Sequence, residues 1–489
     1  MARGKIITTL RDRRQVEAGL RQMLAADSEW QFRRQAQQIA ALGSQVIPAI
    51  VGNLDRADAR LLTAMGTVAA LLNRQEVVTA LRQAILQPQR TDRGRMAAMT
   101  LLERFLGQPP DDELLTSLRD PEGMALRSLE EVLSQAEGNP ALWIEYIRGL
   151  DRQEPDVVLA VIRTLREMGT VRAVEPLRMM AQDVRGEIAA AALQALGTLR
   201  LPEAGWALQT LLPIVHPELQ PAAGRALRKL RFAGVAIEEL PPPDPGWRAL
   251  LGPVDGLGRQ NVWFLQPGQG TAQVRFLNLL LADQAGIVEA IGHARVPALM
   301  LPPPRPLGTL HDGSGDLLML EAPFDLGRRL VLEALAHNRQ TQIPVAGPLR
   351  LLSPWLWGYG GADSLPPPLL PELEEQDEGL TAVSDRLLSH PAFLTWTVHS
   401  QALLQAAEEG RDREAWVRWL ARELLSEPMV RHLLGRRLTA MSEWLLLAGE
   451  PWLARLALAA ARAMDQESAH ELPLIRALVR RGLEAASGS

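Results

Sequence analysis

A repeat with a period of about 31 residues runs through the first half of this 489-residue chain. Six segments share a turn position, with apolar residues at helical spacing on both sides. The turn residues are Gly43, Asn73, Gly107, Gly138, Gly169 and Gly197, at successive spacings of 30, 34, 31, 31 and 28. Glycine or asparagine there is typical of a left-handed helix C-cap, after which the chain reverses into a second helix. Because two short helices cannot bury their apolar faces alone, the pattern predicts helical hairpins that stack into an α-solenoid.

The most regular repeat is DVRGEIAAAALQALGTL, residues 183–199, which follows VRAVEPLRMMAQD, residues 171–183. Asp183 and Arg185 precede an alanine-rich helix that ends at Gly197. These segments resemble HEAT-like repeats, including those of phycobilisome-lyase-type proteins, and the resemblance extends over about residues 10–232. It implies the solenoid fold. Proteins with such repeats include scaffolds, chromophore lyases and DNA-repair glycosylases, so the resemblance implies no single activity.

Two proline-rich stretches predict the ends of domains, because proline removes a backbone donor and restricts the residue before it. They are residues 238–246 and residues 363–379, the second of which is also acidic. The expected fold class is therefore mainly α, in three domains. These are a HEAT-like α-solenoid at 1–237, a small α+β domain at 247–362 and a C-terminal helical bundle at 380–489.

The period of the apolar residues changes between the two linkers. Runs rich in β-favouring residues at 261–265 and 272–277 predict a hairpin, and residues 317–320 predict a further strand. Residues 286–294 and 326–338 are predicted as helices. In the last domain we expect helices at 393–409, 413–425, 429–447, 452–464 and 472–486.

The composition excludes several classes of protein. There is no cysteine, and therefore no disulfide, thiol nucleophile or zinc-thiolate site. No apolar run approaches the length of a transmembrane helix, and the first residues lack the apolar stretch of a secretion signal. We therefore expect a cytoplasmic protein. All but two of the 52 basic residues are arginine, which indicates a bacterium with GC-rich DNA.

No motif predicts catalysis. The eight histidines form no HxH, HExxH or HxxxH pair, and the sequence contains no phosphate-binding loop and no GxSxG elbow. The loop from His311 to Asp316 begins like a calcium loop, but Pro323 takes the position of the required glutamate, which favours an ordinary turn. We therefore assign no catalytic, metal-binding or cofactor-binding residue, and expect a protein that is not an enzyme.

A helical repeat without a catalytic motif favours binding to a protein partner, so we expect a non-enzymatic scaffold or adaptor. Residues 1–100 carry 15 basic and 8 acidic residues, a net charge of +7. Candidate contact residues are the arginines of this region and two tryptophans beside glycines, namely Arg33, Arg34, Arg90, Arg93, Arg95, Trp355 and Trp357. The positive region, with Trp30, Trp143 and Trp206, leaves nucleic-acid binding or DNA repair as an alternative. A chromophore lyase is a third possibility, and the oligomeric state stays open.

Overall fold

The computed structural model forms two compact units, Met1–Ser134 and Gln135–Ser489, each described here by itself. Within them the structure describes residues 15–24, 29–109, 111, 114, 129–130, 132–136, 138–267, 273–312, 318–374, 377, 379–398 and 413–487. The predicted turn residues 268–270, most of the loop after His311, and residues 399–409 of a predicted helix lie outside these ranges. The predicted domain boundaries stay predictions.

Short helices build the first unit. After a helical stretch at 15–24 come α1 (Glu29–Ala40), α2 (Ile47–Asn53), α3 (Ala59–Ala69), α4 (Arg74–Leu86) and α5 (Asp92–Thr100). Side chains cap three of them: Asp58, Asn73 and Thr91 each accept a hydrogen bond from the backbone N–H groups of the first turn that follows. Apolar side chains of α3, α4 and α5 share one core.

The repeat glycines have the expected backbone at three positions. Gly43, Gly107 and Gly169 have φ values of 67°, 59° and 63°, which confirms left-handed turns there. The prediction is wrong at Asn73, which has φ −61° and begins a helix instead of ending one. It is also wrong at Gly138, which lies in helical backbone, and at Gly197, where φ is −67°. A methyl group at Gly197 would overlap Ala226, so this glycine is explained by close helix packing.

Six helices open the described part of the second unit. They are α6 (Leu142–Leu150), α7 (Pro155–Met168), α8 (Val174–Met180), α9 (Gly186–Leu196), α10 (Pro202–Leu211) and α11 (Gln220–Phe232). Proline at the first helical position begins α7 and α10, where its missing N–H group costs nothing. The chain leaves α11 at Gly234, whose φ is 78°, and then runs extended to the sheet.

A six-stranded antiparallel sheet follows, in the order β4-β3-β2-β1-β6-β5. Its strands are β1 (Arg248–Leu251), β2 (Arg259–Pro267), β3 (Gln273–Ala282), β4 (Gly286–Pro297), β5 (Leu310–Asp312) and β6 (Leu318–Ala322). The predicted hairpin is confirmed by pairing of β2 with β3, from Arg259 opposite Ala282 to Pro267 opposite Val274. The strand predicted at 317–320 is confirmed as β6.

The helix predicted at 286–294 is wrong, because these residues form β4. Gly286 has φ 80°, and a side chain there would overlap Asn338, so the chain turns sharply after β3. Ile287 and Ala290 are buried, while Glu289 and Ile291 are exposed. Pairing with β3 therefore overrides the local helical spacing.

Helices complete the second unit. The helix predicted at 326–338 is confirmed as α12 (Phe324–Thr341), which packs on the sheet where Gly327 leaves room for Phe264. It is followed by α13 (Gly347–Leu352) and α14 (Pro354–Trp357).

Four of the five helices predicted in the last domain are confirmed, namely α15 (Arg413–Leu424), α16 (Pro428–Leu447), α17 (Pro451–Ala463) and α18 (Pro473–Ser487). The helix predicted from Phe393 is wrong over its described residues. There a 3-10 turn ends at Phe393, and the Trp396 indole N–H donates to the Val254 carbonyl at 2.8 Å.

The protein is thus mainly helical with one small antiparallel sheet, which confirms the expected fold class at this level. In the described part of the chain, no helix combines the length and apolar character needed to cross a membrane.

Asn338 is the polar side chain that fastens α12 to the start of β4. Its Oδ1 accepts from the Ile287 N–H at 2.7 Å, and its Nδ2 donates to the carbonyls of Ala285 at 3.0 Å and Ile343 at 3.3 Å. We expect Asn338→Ala to lower the free energy of unfolding by about 2–4 kcal/mol, because these buried backbone groups lose their partners.

Urea denaturation followed by tryptophan fluorescence measures this, since all the tryptophans except Trp30 lie in the second unit. The control is Gln340→Ala in the same helical turn, where the side chain is exposed. Equal stability of the two variants would contradict the assignment.

Candidate functional site

Two fully buried arginines join the helices before the sheet to the helices after it. Arg178 of α8 donates to Ser353 Oγ at 2.6 Å and to the Leu351 carbonyl at 2.8 Å. Arg350 of α13 forms an ion pair of 2.9 Å with Asp151, which follows α6. Burial raises the pKa of Asp151, and the charge of Arg350 opposes that rise. These contacts fix α6 and α8 against α13.

A groove with a volume of about 610 Å³ opens beside this junction. One wall is α8 and the turn before it, the second is the first half of α10, and the third is the extended chain after α11. The groove is lined by Val171, Val174, Glu175, Arg178, Pro202, Glu203, Trp206, Ala236 and Glu238. Trp206 is its largest apolar side chain and is 39% exposed.

The third wall lies close to α10 because α10 has no side chain at Gly205. A methyl group at that position would overlap three carbon atoms of Ile237. Gln209, one turn further along α10, donates from Nε2 to the Glu238 carbonyl at 2.8 Å. A glycine and an amide on one face of α10 therefore hold residues 237–238 beside Trp206.

The charge of the groove is negative. Glu175 accepts from Arg178 Nε at 3.0 Å, so those two charges neutralise each other. Glu203 and Glu238 are exposed, and neither forms an ion pair with a basic side chain in the described ranges. Nor does the Trp206 indole N–H have a hydrogen-bond partner there. The groove thus offers an apolar surface, one free donor and two carboxylates, a combination that suits a basic group attached to an apolar segment.

Three of the predicted arginine contacts are internal to the first unit. Arg90 is buried and forms an ion pair of 2.6 Å with Asp55. Arg93 donates to the Ala57 carbonyl at 2.9 Å, and Arg95 is buried beside Asp92 at 3.2 Å. The guanidinium groups of Arg90 and Arg95 are buried and hold helix ends together, so they are not displayed as a positive ridge. Arg93 is exposed, and its role in partner binding stays a prediction.

Arg33 and Arg34 of α1 are exposed, and their role in partner binding stays a prediction. The two predicted tryptophans differ. Trp355 is partly exposed and packs against the Arg275 guanidinium, 5.9 Å from its ring centre. Trp357 is only 1% exposed and stacks on Arg328 at 4.9 Å, so the expectation that it is exposed is wrong.

A second polar cluster lies inside the sheet. Glu321 of β6 accepts from Arg248 and from the Arg305 backbone N–H at 3.1 Å, and its Oε1 lies 3.2 Å from His311 Nε2. His311 is buried, and its Nδ1 has no partner in the structure. Among the described residues, no group of three or more histidine, aspartate or glutamate side chains is arranged to hold a metal ion.

From the sequence, Trp206 was a candidate only for nucleic-acid binding. Glu203, Gly205 and Glu238 were not predicted as site residues. The pattern Glu-Ala-Gly-Trp at 203–206 was the available signal, because a glycine inside a helix next to a tryptophan indicates close approach by another segment. That the segment is 236–238 depends on the path of the chain after α11.

Comparison with protein-family models, with curated proteins and with solved structures gives no match to this chain.

Gly205→Ala tests how the groove is built. Alanine is normally the better helix residue by about 1 kcal/mol, but here we expect the free energy of unfolding to fall by about 1–3 kcal/mol, because the methyl group displaces Ile237. Ile237→Ala removes the side-chain atoms that this methyl group would overlap. The double variant should therefore show a coupling energy above about 1 kcal/mol in urea denaturation. Additive effects of the two substitutions would show that the wall is not packed in this way.

His311 and His390 predict how stability depends on pH. Burial lowers the pKa of both imidazoles from the ordinary value of 6.5. His390 Nδ1 also accepts from the Ala392 N–H at 3.2 Å, which requires the unprotonated nitrogen. Between the folded pKa and 6.5 the unfolded chain binds more protons. Stability is therefore fully present above pH 6.5 and is lost as the pH falls towards the folded pKa values.

We expect the urea midpoint of the second unit to fall between about pH 7.5 and about pH 5.5, and to fall less in a His311→Gln/His390→Asn variant. Glutamine can still donate to Glu321, and asparagine can still accept from Ala392. His432→Gln at an exposed position is the control. The same pH slope in all three proteins would refute the assignment.

Proposed function

We propose that the protein is a non-enzymatic adaptor whose groove around Trp206 binds a basic segment of a protein partner. The observation that carries the proposal is the exposed indole of Trp206 between Glu203 and Glu238, two carboxylates without a described cation. Tryptophan and arginine dominate the binding energy of protein interfaces, and a guanidinium or ammonium group can both stack on an indole and pair with a carboxylate.

The rigidity of the groove supports a binding role. Arg178 is held by four hydrogen bonds, and the 236–238 wall is fixed by Gly205 and Gln209. A preformed site loses little entropy when a ligand is bound. None of the lining residues is a serine, histidine or lysine, so the groove supplies neither a hydroxyl nucleophile nor an imidazole base.

The negative charge of the groove favours a protein over a nucleic acid, because its carboxylates repel phosphate. The predicted HEAT-like solenoid of a bacterial cytoplasmic scaffold agrees with this proposal, since stacked repeats commonly present extended surfaces to protein partners.

A display library of random twelve-residue peptides tests the proposal with defined probes. The library is selected on the full-chain protein after removal of peptides that bind Trp206→Ala. We expect selected peptides to combine arginine or lysine with apolar residues. Their affinity should fall about 30-fold in Trp206→Ala, the effect of losing an interface hot spot. It should fall about 3- to 10-fold in Glu203→Gln/Glu238→Gln.

The matched controls are Trp419→Ala, at a tryptophan that is 48% exposed, and Glu218→Gln, at an exposed acid outside the groove. Both should bind the selected peptides as the unsubstituted protein does. The proposal is refuted if no peptide survives the selection, or if the survivors bind without preference for basic residues.

A further inference from the structure

The strand β4 lies at the edge of the sheet and has β3 as its only neighbouring strand. It spans 12 residues, which is long for an edge strand. Asn338 satisfies the backbone N–H of Ile287 at its start. Over residues 288–297 no hydrogen bond joins the strand to any described residue outside β3. Its outer backbone groups are therefore free to pair with another strand.

The side chains of β4 alternate regularly between two irregularities in its pairing with β3, which fall near Leu280 and near Phe276. Ala290 is buried and Gly292 lies against Leu352, so both face the helices. Glu289, Ile291 and His293 are exposed on the opposite face, and Ile291 is 41% exposed. The five residues 289–293 thus form a regular segment of the edge with one exposed face.

We infer that β4 pairs with β4 of a second copy of this chain, antiparallel and centred on Ile291. A two-fold axis at Ile291 places Ile291 opposite itself and Glu289 opposite His293 of the second copy. Directly opposite residues of an antiparallel pair lie on the same face, with Cβ atoms about 5 Å apart. Each imidazole can then donate a hydrogen bond to the facing carboxylate, twice in the dimer.

Two further features fit this occupant. Neither Glu289 nor His293 has a hydrogen-bond or ion-pair partner in the structure as described. Ala290 would face Gly292 of the second copy, so the inner side has no bulky pair to accommodate. The result would be one continuous sheet across two protein copies.

Sedimentation equilibrium of the full chain tests the inference. Because the interface is small, we expect association at concentrations of about 5–200 μM, with the mass rising from 53.7 kDa towards twice that value. Ile291→Lys should remain monomeric throughout this range, because it places two like charges at the axis. The control Leu257→Lys, at an exposed turn residue away from the edge, should associate like the unsubstituted protein.

An exchange of charges tests the pairing itself. His293→Glu alone should weaken association at least about tenfold, because it places carboxylates opposite each other at two positions. Glu289→Lys/His293→Glu should restore association to within about threefold, since lysine then faces glutamate at both positions. The inference is overturned if the unsubstituted chain is monomeric at the highest concentration, if Ile291→Lys still associates, or if the double substitution fails to restore association.

Discussion

The buried ion pair of Arg350 with Asp151, together with the contacts of Arg178, is the interaction on which the second unit depends. Burying a charge costs several kcal/mol unless the geometry compensates for it. Here the compensation comes from a planar donor that reaches several acceptors at once: Arg178 contacts Glu175, Ser353 and a backbone carbonyl. Moving α6 or α8 away from α13 would leave these buried guanidinium groups without their partners, which is strongly destabilising. The network therefore favours the observed position of α6 and α8 against α13.

The groove follows from that arrangement. The hydrogen bonds of Arg178 go to Glu175, Ser353 and the Leu351 carbonyl. Arg178 therefore neutralises Glu175 and no other acid of the groove. Glu203 and Glu238 keep their charge, and Trp206 remains exposed between walls that cannot collapse onto it. Closing the groove would require Ile237 to move away from Gly205, or the hydrogen bond from Gln209 Nε2 to the Glu238 carbonyl to break. The exposed indole, together with the two carboxylates beside it, is the feature on which the proposed binding role rests.

The parts of the fold that were predictable depend on short stretches of chain. The turns at Gly43 and Gly169, the hairpin of β2 and β3, and the helix α12 all follow from residues near in sequence. The prediction of a helix at 286–294 was wrong because the apolar spacing there fits both the helical and the strand period, and only pairing with β3 decides between them. The groove was not predictable, because Ile237 reaches Gly205 from a different segment.

Arginine shows most clearly why charge in a sequence is a poor guide to charge on a surface. The chain has 50 arginines and two lysines, and the fold uses the guanidinium group in ways that an ammonium group cannot reproduce. Arg481 donates to the carbonyls of Leu388, Phe393 and Trp396, and Arg437 joins Asp283 to the Gly256 carbonyl. A planar group with five donors closes irregular chain ends that lack backbone partners. Arg90 and Arg95 serve the first unit in the same way, so part of the +7 charge of residues 1–100 holds that unit together instead of attracting a partner. Surfaces for partners are then better sought where exposed charges lack an internal counterpart, as at Glu203, Glu238 and Glu289.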